Sequence, residues 1–259
     1  MDSAVTFLRR SSYHTKPTIM TKIFLSLLAA AFLNTASFAQ KTINDVNVEK
    51  RTIGSFHGIE VATGIELTLT NGNTEEVAVS AATPEFRDKI VTEVKDGILK
   101  LYYETKTGAI NKQKENKHLK AYVSYKTLDK LNVNTGAEVK IVGVLTSSSL
   151  DLNANTGGIV NGEVAITTLK VSQNTGSRIT ISGKAESLEI DGDTGSKFNG
   201  EGLSTTNCSA KVSTGAGIYI SVQKELNVKA NTGGFVKYKG EGGIRDVKTN
   251  TGGHVSRIK

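Results

Sequence analysis

The dipeptide Thr-Gly recurs seven times between residues 135 and 252, at intervals of 18 to 21 residues. A short polar residue precedes each copy, and it is Asn in five of them. Such residues favour tight turns, and Gly permits the positive φ that a tight corner requires. A turn repeated about every 19 residues indicates stacked structural units. The predicted turn glycines are Gly136, Gly157, Gly176, Gly195, Gly215, Gly233 and Gly252.

Apolar residues flank these turns at alternate positions. Leu152, Val171 and Ile190 precede their glycines by five residues, and Val160 and Ile179 follow theirs by three. Alternation of this kind has the period of a β-strand. We expect two short strands around each turn, with the strands of successive units paired in parallel and the apolar positions forming inward columns. The predicted fold is all-β: a right-handed parallel β-solenoid, β-helix-like, with coils of about 19 residues.

The domain organisation follows from where the repeat stops. Residues 126–259 would hold seven coils, and an eighth copy of the turn lies upstream at Thr63-Gly64. Asp96-Gly97 interrupts a longer apolar run, which predicts a hairpin, and residues 105–118 are Lys-rich and predict a loop. We therefore expect a single domain over residues 40–259, in which residues 41–125 form an N-terminal coil and capping strands that cover the first coil of the array.

The first 39 residues predict export. Lys22, an apolar run over residues 23–33 and the small-residue end Ser37-Phe38-Ala39 have the layout of a cleavable signal peptide. We expect cleavage near Ala39, no transmembrane segment in the mature chain, and a location in the periplasm, at the outer membrane or on the cell surface. Residues 1–19 have two interpretations: an over-extended start upstream of Met20, or a genuine extension with the apolar run retained as an anchor.

Charge and cysteine content exclude two classes of protein. The chain that remains after cleavage would carry 28 basic and 24 acidic residues, a net charge of +4 over 220 residues. Nucleic-acid binding normally needs a stronger and more clustered positive charge, so we expect no nucleic-acid partner. Cys208 is the one cysteine, which excludes a disulfide framework. It falls in an apolar column, so we expect a buried structural thiol.

Several segments together resemble one protein family. The opening IGSFHGIEV at residues 53–61, then IELTL at 65–69, VKDGILKL at 94–101 and the serial Thr-Gly coils resemble the putative auto-transporter adhesin head (GIN) domain family of exported bacterial proteins. The resemblance covers nearly all of residues 50–259. It implies a β-solenoid and a cell-envelope location, and it brings no catalytic residues with it.

One acidic cluster is the main candidate for chemistry. Glu189, Asp191 and Asp193 alternate and therefore share a face, as a Ca²⁺ site or an acid/base pair would require. The interpretation we favour is a solvated ladder of alternating charge, with Glu189 beside Lys170 and Asp191 beside Lys211. The histidines of the mature chain are scattered, so the sequence predicts no catalytic residue, no metal site and no cofactor.

Outward aromatic residues are the remaining candidates for binding. Tyr219 and Phe235 fall at outward positions on neighbouring coils, and Lys237 is close by. Such residues can stack on sugars or anchor a protein, although ordinary surface scatter explains them as well. We expect a non-enzymatic, adhesin-like envelope or surface protein whose partner is an envelope glycan or a surface protein. The alternatives are a glycan-active β-helix enzyme and a self-stacking structural protein.

The last coil bears on assembly. Arg257 and Lys259 occupy offsets at which most other coils carry an apolar residue or Gly. An inward arginine would lose water without gaining a partner, which makes this end a poor template for another copy. We therefore expect a monomer that does not polymerise end to end.

Overall fold

The computed structural model describes residue 45 and residues 47–104 and 116–258. The segment predicted to be a signal peptide, most of the Lys-rich loop, and Lys259 lie outside these described residues. The chain forms a β-solenoid built almost entirely of strands, which confirms the predicted fold class. The handedness of the coil stays a prediction.

Short elements make up the N-terminal part of the described chain. Eight strands and one turn of helix precede the main array. They are β1 (Glu49–Arg51), β2 (Gly58–Val61), β3 (Glu66–Asn71), β4 (Glu76–Ser80), α1 (Pro84–Arg87), β5 (Ile90–Lys95), β6 (Ile98–Tyr103), β7 (Lys120–Tyr125) and β8 (Lys130–Val133).

Long strands form the body of the solenoid, and each runs from just after one Thr-Gly turn to just before the next. They are β9 (Glu138–Ala154), β10 (Ile159–Gln173), β11 (Arg178–Gly192), β12 (Lys197–Val212) and β13 (Gly217–Ala230). The terminal coil is divided into β14 (Phe235–Lys239), β15 (Gly243–Thr249) and β16 (His254–Arg257). All neighbouring pairs from β9 onward are parallel, as predicted.

The expectation of two short strands around each turn is wrong for the central coils. The run after one turn and the run before the next belong to one continuous strand, which bends at irregularities in register. Glycines with positive φ lie at bends, as in Gly143 (φ 79°) and Gly183 (φ 107°). A Cβ on Gly183 would lie 2.1 Å from the carbonyl oxygen of Val164. Glycine therefore lets the chain change direction there without leaving the sheet.

The upstream Thr-Gly copy lies inside the stack. Strands β2 and β3 flank it and pair in parallel with β8 and β9 on one side and with β6 and β7 on the other. Beyond β6 and β7 the pairing becomes antiparallel. Strand β5 pairs with β6, β4 pairs with β7, and β1 pairs with β4. The two-residue turn at Asp96-Gly97 joins β5 to β6, which confirms the predicted hairpin. The antiparallel strands cover an edge that the parallel coils would otherwise expose.

Inward columns hold the core together. Leu131, Leu152, Val171, Ile190, Ala210 and Val228 follow one another in register, and each is at most 2% exposed. Cys208 is buried in the adjacent column, between Leu188 and Leu226. Burial raises the pKa of its thiol to about 12, so the group stays protonated and unreactive at neutral pH. The expectation of a buried structural thiol is confirmed.

Phe198 shows how a column absorbs a larger side chain. It occupies a place where the neighbouring coils carry Ile179 and Ile218, and it is fully buried. Space for the ring comes from Gly200, because a Cβ at that position would lie 2.5 Å from the Phe198 ring. A bulky residue in one coil is thus matched by a missing side chain two residues later in the same strand.

The Thr-Gly turns have positive φ at both central residues, as a type I′ turn requires. The eight glycines have φ between 66° and 75°, and the eight preceding threonines have φ between 43° and 57°. Sequence reasoning did not anticipate the threonine values, because a β-branched residue rarely adopts them. In the third coil, Asn174 Oδ1 accepts a 2.7 Å hydrogen bond from the Thr175 amide, which supports the strained residue.

Candidate binding surface

Tyr219, Phe235 and Lys237, the three predicted ligand-binding residues, form one cluster on the side of the solenoid. The two aromatic rings meet edge to face, with centroids 5.7 Å apart and planes at 88°. Lys237 Nζ lies 5.6 Å from the Tyr219 centroid and 5.9 Å from that of Phe235. Lys197 Nζ lies 5.2 Å from the Tyr219 ring and was not anticipated from the sequence. Parallel register explains the cluster, because Tyr219 pairs directly with Lys237.

Gly217 fixes the position of the Phe235 ring. The two residues are partners across β13 and β14, and a Cβ on Gly217 would lie 2.4 Å from the ring. The ring therefore covers the backbone of the preceding coil and remains partly exposed. A partly exposed aromatic pair anchored this way presents a rigid edge, which suits contact with a partner at little cost in conformational entropy.

Two outward columns extend the cluster along the solenoid. One contains Arg178, Lys197, Gly217, Phe235 and His254, and the other contains Thr180, Asn199, Tyr219, Lys237 and Ser256. Neither column contains a carboxylate over this length. We call their basic and aromatic members the cationic strip: Arg178, Lys197, Tyr219, Phe235, Lys237 and His254.

Cations of the strip have no carboxylate partners in the described part of the chain. The ion pairs of the described chain involve other lysines and arginines. Lys239, at the border of the strip, is one of them: its Nζ lies 3.6 Å from Glu201 Oε2. Arg178, Lys197 and Lys237 have no carboxylate oxygen within 4.0 Å among the described residues. The strip therefore keeps its positive charge uncompensated.

The acidic cluster of the sequence analysis forms the predicted ladder. Lys170 lies between Asp151 and Glu189 in register. Asp191 lies beside Lys211, and the Lys211 Nζ is 2.8 Å from the Asp191 carboxylate. Asp193 takes the turn position and accepts hydrogen bonds from the Thr194 amide and the Ser213 hydroxyl. Among the described residues, no group of three His, Cys, Asp or Glu side chains could hold a metal ion.

The face that carries the acidic ladder is called the second face. It also holds a shallow polar groove, which the sequence analysis did not predict. Its volume is about 550 Å³, and it runs across several coils. Amides from the turn column and from the column two residues earlier dominate it, in particular Asn132, Asn134, Asn153, Asn155 and Asn174. The signal was present in the sequence as asparagines at fixed offsets, which tight turns alone also explain. Asn153 Nδ2 donates to Asn132 Oδ1 at 3.0 Å, so these amides partly bond one another.

The remaining candidate residues are dispersed. His57 Nδ1 lies 2.7 Å from Asp129 Oδ1 near the hairpin turn, His118 precedes β7, and His254 begins β16. No shared histidine site therefore forms among the described residues. The turn glycines line one exposed corner, where a Cβ would in most cases meet no atom within 4 Å. Their contribution is to backbone conformation.

Comparisons with known proteins agree with this architecture. Residues 55–242 match the model of a family described as putative auto-transporter adhesin, head GIN domain. Among functionally curated proteins, the comparison found none that matches the chain. No helix in the described part of the chain has the length and apolar character needed to cross a membrane.

Solved structures share the fold at low sequence identity. A putative adhesin from Bacteroides fragilis aligns with a TM-score of 0.73 at 18% identity, covering 83% of this chain and 98% of that one. A putative lipid binding protein from Parabacteroides distasonis aligns at 0.65 and 16%, covering 82% and 97%. A putative adhesin from Parabacteroides merdae aligns at 0.62 and 17%, covering 83% and 97%. At such identities the likeness concerns the fold alone.

Proposed function

Because the chain belongs to the putative auto-transporter adhesin head (GIN) domain family, we propose that it is an exported, non-enzymatic module that binds a partner in the cell envelope or at the cell surface. Signal cleavage near Ala39 would release the solenoid from its leader. The partner would be an envelope glycan or a surface protein, bound along the side of the rod.

The observation that carries this proposal is the cluster around Tyr219. Two lysines without carboxylate partners, Lys197 and Lys237, lie beside two partly exposed aromatic rings on a sheet whose backbone is already paired. Surface cations in the rest of the described chain often have acidic neighbours, as Lys211 and Arg245 do. Apolar rings gain free energy when a partner covers them, and unpaired charges beside them favour a partner of complementary charge.

A glycan-array screen of the mature protein tests the binding proposal. We expect the mature protein to bind glycans on the array without releasing hydrolysis products. The double variant Tyr219→Ala, Phe235→Ala should lose this binding. Tyr102→Ala, another partly exposed tyrosine in β6, is the matched control and should leave binding unchanged. Release of shortened glycans would instead identify an enzyme.

N-terminal sequencing of the exported protein tests the proposed location. We expect the mature chain to begin at Gln40. Recovery of the intact residues 1–39 from the envelope would contradict signal cleavage and support the retained-anchor interpretation.

A further inference from the structure

We infer that the cationic strip recognises an acidic polysaccharide lying across the coils. This inference rests on the proposed binding function and specifies its ligand class. The strip follows the solenoid axis over five coils, from Arg178 to His254, which is roughly 19 Å at the spacing of paired strands.

Charge along the same column sets where the ligand binds. Toward the N-terminal side, the column that carries Arg178 continues through Ile159 to Glu138, and Glu138 lies in register with Glu66. Two carboxylates in neighbouring strands repel an anion, whereas the two columns of the strip carry cations and no carboxylate from Arg178 onward. An anionic chain would therefore occupy the strip and stop before Glu138.

The shape of the strip selects an extended ligand. Three grooves of the described chain contain no residue of the strip, and one of them, the polar groove, is lined by Asn132, Asn153 and Asp191 on the second face. The strip itself is a sheet surface, so it cannot enclose a small molecule. A polymer with an acidic group on successive or alternate sugars could instead contact cations that recur with the coil spacing.

The aromatic pair favours sugar over other polyanions. The apolar face of a pyranose ring can pack against the exposed edges of Tyr219 and Phe235 while its carboxylates approach Lys197 and Lys237. Both lysine Nζ atoms already lie within 6 Å of the Tyr219 ring centroid, so the cations and the apolar surface form one contact area. Nucleic acid and anionic membranes carry denser charge, and they normally require a larger basic cluster than three uncompensated side chains.

Equilibrium binding to a panel of acidic polysaccharides tests the inference. The panel holds polygalacturonate, hyaluronan and heparin, with methyl-esterified polygalacturonate as the same backbone without its charges. We expect binding to at least one acidic member, little to the methyl ester, and weaker binding as salt rises. Binding equally to the ester would overturn the inference, as would tighter binding to double-stranded DNA or to phosphatidylglycerol vesicles.

Paired variants locate the site. Lys197→Gln with Lys237→Gln should weaken binding about tenfold or more, because two charge-assisted contacts are lost. Lys170→Gln with Lys229→Gln removes the same charge from the other face and should change affinity less than about twofold. Equal losses in both pairs would contradict the assignment, and circular dichroism checks that the two double variants fold like the unmodified protein.

The outcomes separate the inference from the proposed function. Specific binding to neutral glycans or to a surface protein, with none to the acidic panel, would overturn the ligand class and keep the binding function. No binding to any glycan or envelope extract would overturn both.

Discussion

The Gly176 amide donates a 3.0 Å hydrogen bond to the carbonyl oxygen of Thr194, the corresponding threonine of the next coil. The same bond joins every successive pair of Thr-Gly turns, beginning with Gly64 and Thr135 and ending with Gly233 and Thr251. A backbone ladder therefore runs along the corner of the solenoid. Positive φ at both turn residues directs the glycine amide toward the next coil, so the conformation of each turn also serves the stack.

Substitution of Gly176 tests the turn conformation. Its φ is 68° and a Cβ would meet no atom within 4 Å, so any penalty comes from the backbone and not from a clash. We expect Gly176→Val to lower the free energy of unfolding by more than about 1 kcal/mol, measured by chemical denaturation. Gly176→Asn is the control and should cost less, because asparagine tolerates this region. An unchanged melting temperature in the valine variant would contradict the placement of the corner.

Ile190 tests the packed column. It is 1% exposed between Val171 and Ala210 in register. Ile190→Ala should destabilise the protein by about 2–5 kcal/mol, because the transfer free energy is lost and a cavity remains. Glu189→Ala, at the outward neighbour, should cost far less. Similar losses from both substitutions would show that the inward column is misassigned.

Asp193 predicts an acid-sensitive stack. Hydrogen bonds from the Thr214 and Ser213 hydroxyls and from the Thr194 amide hold the pKa of its carboxyl below the ordinary value. A carboxylate with a lowered pKa stabilises the fold above its unfolded pKa, about 3.9, and this contribution is lost as pH falls through the folded pKa. Asp193→Asn should therefore flatten the fall in melting temperature below about pH 4. The same slope in both proteins would mean that these bonds do not favour the ionised form.

The terminal coil predicts the state of assembly. Ile244 and Val247 of β15 are 46% and 39% exposed, as expected where no further coil covers the core. Arg257 pairs in register with Tyr238, but its side chain is exposed and donates a 2.6 Å hydrogen bond to the Gly240 carbonyl. The expectation of an inward guanidinium without a partner is therefore wrong. An exposed positive charge on the last strand can still oppose pairing with another copy.

Light scattering at micromolar concentration measures that assembly. We expect a monomer, and association in the double variant Arg257→Val, Lys259→Val. Long filaments of the unmodified protein would contradict capping and favour a self-stacking structural protein.

Much of this architecture could be predicted from residue spacing, since stacked coils repeat the same offsets. The spacing predicted the register of Lys170 with Glu189, the burial of Ile190 and the positive φ of Gly176. It did not predict the left-handed Thr175, because single-residue preferences oppose that conformation and the stacked hydrogen bonds outweigh them. The continuous strands were missed for a related reason: bends at glycine bulges preserve parallel pairing, although the local pattern resembles two strands.

The cluster could be predicted only in part. Offsets placed Tyr219, Phe235 and Lys237 on one face, because columns follow from the repeat. Lys197 was missed because its contact spans a diagonal between two columns and depends on side-chain direction. The absence of carboxylate partners around the strip depends on distances between coils, which spacing along the chain does not give.

Chemical cross-linking tests most directly the claim that one side face binds the ligand. An acidic oligosaccharide from the panel, with one carboxylate per chain activated beforehand through a carbodiimide, keeps the remaining charges for binding and will form an amide with a lysine that it contacts. Peptide mapping by mass spectrometry should find the sugar on Lys197 and Lys237, and an excess of unactivated ligand should prevent it. Labelling spread evenly over the exposed lysines, or concentrated on Lys170, Lys211 and Lys229 of the second face, would contradict the account.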